Sequence, residues 1–282
     1  MSEYSNSSKD YHILSTFWLK IIGMFSMIID HIGVFYERDY MHIPSYNVDI
    51  QIALRGIGRL SFIIFAFLTV EGVLHSRKPL LYLSKLLALS LIVDLSYLII
   101  SREYIGNPIT TLFIGGLIVY LLNKKEWYYK LLSLLPIAYT LLITFEVIPL
   151  RMDYALYGVI TIVLFYFSKL ISNFVLKIVS SNYGLDENTF MNSPLKKTLD
   201  GAVLSILFIS YSLIVYFVNP IWNGTPIFSD MMYIQIYSIF ALIPIILYNG
   251  KRGYDKPWFK YGCYAFYPIH IIIIYLIFTF LV

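Results

Sequence analysis

Residues 14–36 read LSTFWLKIIGMFSMIIDHIGVFY, an apolar run with one lysine near its start and the pair Asp30-His31 near its end. Coiled as a helix at ~1.5 Å per residue, such a run can cross a ~30 Å hydrocarbon core. Eight further apolar stretches follow, at about 55–74, 80–100, 106–122, 131–149, 154–176, 199–218, 231–249 and 259–281. Each is near the ~17–25 residues that a crossing helix needs. The fourth is short and is expected to open as an irregular segment at Asn107-Pro108. Barrel strands would alternate apolar and polar residues over ~9–11 positions, and that alternation is absent. The expected fold is all-α: a polytopic transmembrane helical bundle of about nine spans. It forms a single integral-membrane domain, 13–282, behind a flexible cytoplasmic tail, 1–12. The longest linker, about 177–198, is too short for a separate domain, and KKTLD (196–200) can begin the next helix.

The rest of the composition agrees with that first span. Of 282 residues, 59% are hydrophobic and 13% charged, against roughly 45–50% and ~25% in soluble domains. Mean hydropathy is +0.71. More than half of a soluble globule's accessible surface faces water, so this much apolar area could not be hidden in one. A water-soluble enzyme, a nucleic-acid binder and a disordered adaptor are thereby excluded, and the partner implied is a lipid bilayer. The single cysteine, Cys263, allows no intrachain disulfide and argues against thiolate-bound zinc. The histidines, at 12, 31, 42, 75 and 270, are scattered, so no metal is expected. No HExxH, P-loop or GxSxG motif occurs. No small-residue cleavage site accompanies IDHIGVFYERD, so the first span is expected to be retained.

Basic residues set the orientation. With the N-terminus in the cytoplasm, 16 of the 21 Lys and Arg fall on the inner side, including Arg77, Lys78, Lys251 and Arg252. The five outer ones are Arg38, Arg55, Arg59, Arg102 and Arg151. An odd number of spans then puts the C-terminus outside.

Several polar residues fall where a bilayer makes them costly. Asp30 and His31 lie near the outer end of the first span. Arg55 and Arg59 open the second, four residues apart and so on one helical face. Asp94 sits inside the third span, Glu71 and Asp200 lie toward the inner side, and Arg102, Glu103, Asn107, Glu146, Arg151 and Asp153 lie outside. His270 stands mid-span in the last helix, two residues after Pro268. Each has a plain reading. Arg55 can snorkel to headgroups, Asp30 or Asp94 can pair structurally with an arginine, and His270 can bond a carbonyl freed by Pro268. The chemical reading is strongest at His31, because histidine is the side chain suited to proton transfer near neutral pH.

The stretches LKIIGMFSMIIDHIGVF (19–35), LRGIGRLSFIIFAFLTVEGVLHSRK (54–78) and NGKRGYDKPWFKYGCYAFYPIHIIIIYL (249–276) resemble the TraX family of bacterial membrane proteins. So do NPITTLFIGGLIVYLL (107–122) and DYALYGVITIVLFY (153–166). That family takes its name from a pilin N-acetylase and is grouped with multi-pass acyltransferases of surface sugars. The resemblance implies an acyltransferase-3-like bundle in the bacterial cytoplasmic membrane. It implies an enzyme that moves an acetyl or other short acyl group from cytoplasmic acyl-CoA, with acetyl-CoA the expected donor. The acceptor would be a peptide N-terminus or a surface or lipid-linked glycan. It places His31 where those enzymes carry their first-span histidine, and it likens Arg59–Gly72 to their arginine and aromatic motif. Glu71 replaces a serine usual in the sugar enzymes, which fits TraX better. Phe266, Tyr267, Pro268 and His270 match an FYPxH motif. Catalytic roles therefore fall on His31 as base, Asp30 or another carboxylate orienting its ring, Arg59 or Arg55 for oxyanion charge, and His270, with direct transfer and a route through an acyl-histidine both open. Arg55, Arg77, Lys78, Lys251 and Arg252 are expected to hold the donor. The same buried charges would also suit a transporter, scaffold or immunity protein.

Overall fold

The computed structural model describes residues 11–41, 47–102, 106–184, 186–191, 193–218 and 230–280. Residues 1–10 of the expected tail, and Glu103, lie outside these. Among the described residues all regular structure is helical, apart from one isolated bridge between Leu14 and Tyr248. The order is α1 (Thr16–Tyr40), α2 (Val48–His75), α3 (Pro79–Ser101), α4 (Pro108–Leu122), α5 (Trp127–Leu132), α6 (Leu134–Thr144), α7 (Ala155–Tyr183), α8 (Glu187–Met191), α9 (Pro194–Val218), a 3-10 helix (Asp230–Ala241), α10 (Leu242–Ile246) and α11 (Pro257–Phe280).

Helix starts follow the sequence's caps. The Asn47 carboxamide oxygen accepts from the backbone N–H groups of Asp49 (2.9 Å) and Ile50 (3.3 Å) and opens α2. Asn107 caps α4 in the same way, through Ile109 (2.9 Å) and Thr110 (3.1 Å), with Pro108 in the first turn. The irregular opening expected there is therefore a regular, capped helix start. The other end of the Asn107 side chain donates to Asp94 at 2.7 Å, so the buried acid of α3 holds down the start of α4. KKTLD lies inside α9.

Helix α2 is the centre of the bundle. Phe62 to Val70 is apolar almost all round, as a helix with neighbours on every side must be. It packs against α1, α3, α4, α7 and the 3-10 helix. Small residues let α1 and α2 approach closely. Gly33 lies against Leu54, Gly23 against Phe65, and Gly58 directly against Asp30. At the opposite end of α1, four backbone bonds strap it to the loop before α11. Leu14 N–H donates to Leu247 (2.9 Å), Asn249 to Leu14 (2.8 Å), Thr16 to Lys251 (2.9 Å) and Phe17 to Arg252 (3.1 Å). Helix α11 then runs back along α1 and buries Phe259, Tyr267, His270 and Ile274.

Among the described residues six helices are long and apolar enough to cross a membrane: α1, α2, α3, α7, α9 and α11. The other three apolar stretches take shorter forms. The fourth is the 15-residue α4. The fifth is divided at Ser133 into α5 and α6. The eighth is a 12-residue 3-10 helix continued by five α-helical residues.

Candidate active site

Asp30 and His31 are neighbours in sequence, but a helix turns ~100° per residue and sends them to different partners. Asp30 faces α2. One carboxylate oxygen accepts from Arg55 Nη1 at 2.7 Å and the other from Arg59 Nη2 at 2.5 Å. The absent side chain of Gly58 makes room for this bridge. The structure therefore gives Asp30 to the arginine pair, and the expected contact that would orient the His31 ring comes from elsewhere. Arg59 is almost fully buried, and its guanidinium also lies over the Tyr154 ring, 5.7 Å from the centroid. Tyr154 in turn stacks on Phe62 with centroids 3.9 Å apart.

The turn carrying Tyr154 is held in an unusual conformation. Tyr154 and Ala155 both have positive φ, +60° and +29°, which costs a non-glycine residue energy unless its surroundings impose it. The Thr111 hydroxyl holds the Asp153 carbonyl, and the Asp153 carboxylate accepts from the Tyr154 N–H at 2.9 Å. That carboxylate lies within electrostatic reach of Arg59, Asp30 and Arg55. Two acids and two arginines thus gather at this end of the bundle.

His31 faces α11. Its Nδ1 lies 2.9 Å from the Met27 carbonyl oxygen and 3.2 Å from Nε2 of His270. His270 is buried, stacks on Phe266 with centroids 4.7 Å apart, and places its own Nδ1 2.8 Å from the Phe266 carbonyl oxygen. Tyr267 meets both imidazoles edge-on. The backbone bond of His270 goes to Phe266, four residues back, and not to the Tyr264 carbonyl that Pro268 leaves without its N–H; the ring also meets His31 across 239 positions of sequence.

The residues expected to hold the donor divide between two places. Arg55 belongs to the Asp30 cluster. Arg77, Lys78 and Arg252 line a cavity of about 580 Å³ at the far end of α2, together with Lys85, Lys260, Tyr82 and Tyr264. Lys251 contributes its carbonyl to the strap on α1 and does not line this cavity. A second cavity of about 380 Å³ meets the first at Ser76 and carries Tyr120, Lys124 and Tyr129. The Tyr120 side chain raises the pKa of the Lys124 ammonium by hydrogen bonding. Among the described residues no group of three or more His, Cys, Asp or Glu is placed to hold a metal. Two further acids serve structure: Glu71 pairs with Lys169, and Asp200 pairs with Lys196 and accepts from Ser172 at 2.5 Å.

Sequence reasoning missed Tyr154 and the part Asp153 plays beside Arg59, as well as Lys85, Lys260, Tyr82 and Tyr264. A signal for the last of these exists in the spacing. Lys260 and Tyr264 are four apart on α11, one face of the helix that continues to Tyr267 and His270. Nothing local marks Tyr154, since its partner lies on a different helix.

The profile of the family described as TraX protein matches residues 15–183, a segment that includes the Asp30–Arg55–Arg59 cluster and His31. Among curated proteins, a probable fimbrial assembly protein FimC, serogroup H1, of Dichelobacter nodosus is 25% identical over 272 residues. The match covers 91% of this chain and 93% of that protein. No solved structure matches the chain.

Proposed function

The chain belongs to the TraX family, and from that premise we propose that it is a membrane-embedded acyltransferase. It takes an acetyl or other short acyl group from cytoplasmic acyl-CoA and passes it to an acceptor at the outer side. The acceptor is a peptide N-terminus or a hydroxyl of a surface or lipid-linked glycan. The relative named for fimbrial assembly favours the peptide.

One observation carries this reading: α11 borders both sites. Lys260 and Tyr264 line the cationic cavity, and His270 meets His31 further along the same helix. The rise from Lys260 to His270 is ~15 Å, and from Tyr264 ~9 Å. The pantetheine arm between the phosphates and sulfur of coenzyme A reaches about 16 Å when extended like a peptide chain. Phosphates held by Arg77, Lys78, Arg252, Lys85 and Lys260 would leave the thioester within reach of the histidines.

In the reaction, the acceptor nitrogen or oxygen attacks the thioester carbon while His31 takes its proton. Arg59 and Arg55 offer positive charge to the oxyanion. Collapse breaks the carbon–sulfur bond, and the coenzyme thiolate leaves with a proton returned through His31. Asp30 fixes the two guanidiniums.

The proposed topology has nine spans, the N-terminus in the cytoplasm and the C-terminus outside. Two of the three shorter elements have the reach for it. A 12-residue 3-10 helix at ~2.0 Å per residue plus five α-helical residues extends ~31 Å. Helix α4 starts beside Asp94 of α3 and ends at a cavity shared with Ser76 and Pro79, where α3 begins, and so runs most of α3's length.

The test is purified full-length protein in lipid nanodiscs with acetyl-CoA and candidate peptides or glycans, reading thioester loss and acceptor mass. Acceptor-dependent turnover with one added acyl group is expected. Ion-coupled uptake without thioester turnover would replace this reading with transport.

A further inference from the structure

The two histidines are bonded in a way that fixes where their protons sit. A carbonyl oxygen can only accept, so the Nδ1 of His31, 2.9 Å from the Met27 carbonyl, carries a hydrogen, and so does the Nδ1 of His270, 2.8 Å from the Phe266 carbonyl. In the neutral rings both Nε2 atoms are then bare. The bare Nε2 of His270 lies 3.2 Å from the Nδ1–H of His31 and accepts a share of it. The bare Nε2 of His31 has no protein partner among the described residues. We propose that the pair forms a one-proton relay from acceptor to thiolate: His31 Nε2 receives the acceptor's proton and holds the charge, and the buried, neutral His270 steadies it by accepting from His31 Nδ1–H. The inference rests on the acyl-transfer reading for its substrate, but its proton arrangement stands on the geometry of the pair.

The steps balance. A proton arriving at His31 Nε2 makes an imidazolium. Its Nδ1 hydrogen stays where the Met27 carbonyl and His270 Nε2 both accept from it, so the charge rests on His31. When the thiolate leaves, it takes the Nε2 proton of His31, and both rings are neutral again. The pair can hold only one added proton, because two imidazolium rings would turn N–H against N–H at the same contact. Neighbouring charges leave the relay its freedom. On α1, Asp30 is neutralised by Arg55 and Arg59 of α2. On α11, Tyr267 presents a ring edge to both imidazoles. His270 is thus a positioning residue acting through His31, with no direct contact with the acceptor.

The test uses the full chain in nanodiscs with ¹⁵N-labelled histidine, the two rings assigned with His31→Asn and His270→Gln. At alkaline pH both rings are expected as Nδ1–H tautomers. On acidification they should take up one proton jointly. A ring in the Nε2–H tautomer at alkaline pH, or two independent protonations, overturns the relay. The kinetic arm compares His270→Gln, whose carboxamide oxygen can still accept from His31 but cannot be protonated, with His270→Phe. Phe should lower kcat at least tenfold with donor KM within about twofold, and Gln should keep kcat within about threefold of the parent. A Phe variant with parental kcat and pH profile overturns the relay. If the parent transfers no acyl group while the rings still share one proton, the acyl-transfer reading fails and the proton pair stands.

Discussion

Asp30 depends on the smallest residue in the protein. A methyl at Gly58 would overlap the Asp30 carboxylate, and that carboxylate cannot swing aside without releasing Arg55 or Arg59. Gly58→Ala should therefore act as overpacking at a charged site, with a loss of about 1–3 kcal/mol and a lowered Tm in detergent. An unchanged Tm would mean that the carboxylate is free to move. His31→Ala is the contrasting case. It removes a ring that sits at the α1–α11 seam and is only partly covered, so folding should survive. Transfer should fall by ~10²–10⁴, the usual contribution of a general base. Acetyl transfer within threefold of the parent, measured at matched monodispersity, would remove His31 from the chemistry.

Among the elements, α11 and the turn between α2 and α3 face each other across the cationic cavity. If that cavity holds donor phosphates, Arg252→Ala and Lys260→Ala should each raise acyl-CoA KM severalfold and leave kcat within about twofold, the pattern of lost uniform binding. An unchanged KM in both would place the donor elsewhere. How legible these elements were depended on how local their signals are. Apolar length marked all nine stretches, because hydrophobicity is read within a few residues, whereas the caps at Asn47 and Asn107 went unread: apolarity alone begins the second stretch at 55, and Asn107-Pro108 was expected to be irregular. The 3-10 geometry of Asp230–Ala241 left no such mark, since a helix that is apolar on most sides has no clear period to distinguish 3.0 from 3.6 residues per turn. The break of the fifth stretch at Ser133 could have been read from Pro136 in the first turn of α6, which has no N–H for the carbonyl of Leu132, the last residue of α5. The site was half legible for the same reason. His31, Asp30, Arg55 and Arg59 were conspicuous as charges in apolar sequence. Which of Asp30 or an outside group would hold the His31 ring depended on the angle between α1 and two distant helices. That is information carried by packing.

At the scale of the whole molecule, the sidedness of the bundle makes the last prediction. If the chain crosses nine times, successive ends alternate, so each of the three shorter elements can be tested by whether its two ends emerge on opposite sides. Tyr40 ends α1 and should face outside, while Lys124 follows α4 and Lys196 begins α9, and both should face the cytoplasm. If α4 did not cross, Lys124 would stay on the side of Arg102, and if the 3-10 helix did not cross, Asn249 would stay on the side of Val218. Thr225, another outer position by the charge bias, lies outside the described residues. The chain is well suited to the measurement, because Cys263 is its only cysteine and Cys263→Ala gives a background free of thiols. Single cysteines at Tyr40, Lys124, Lys196 and Asn249 would then be challenged in intact cells with a maleimide that cannot cross the membrane. Labelling is expected at Tyr40 alone, with the other three reacting only after the membrane is opened. Labelling of Lys124 in intact cells would return α4 to one face of the bilayer. Labelling of Asn249 would do the same for the 3-10 helix, and it would also move the α1 strap and the cationic cavity to the outside. A cytoplasmic acyl-CoA could not reach them there, so this one position tests the topology and the donor's route together.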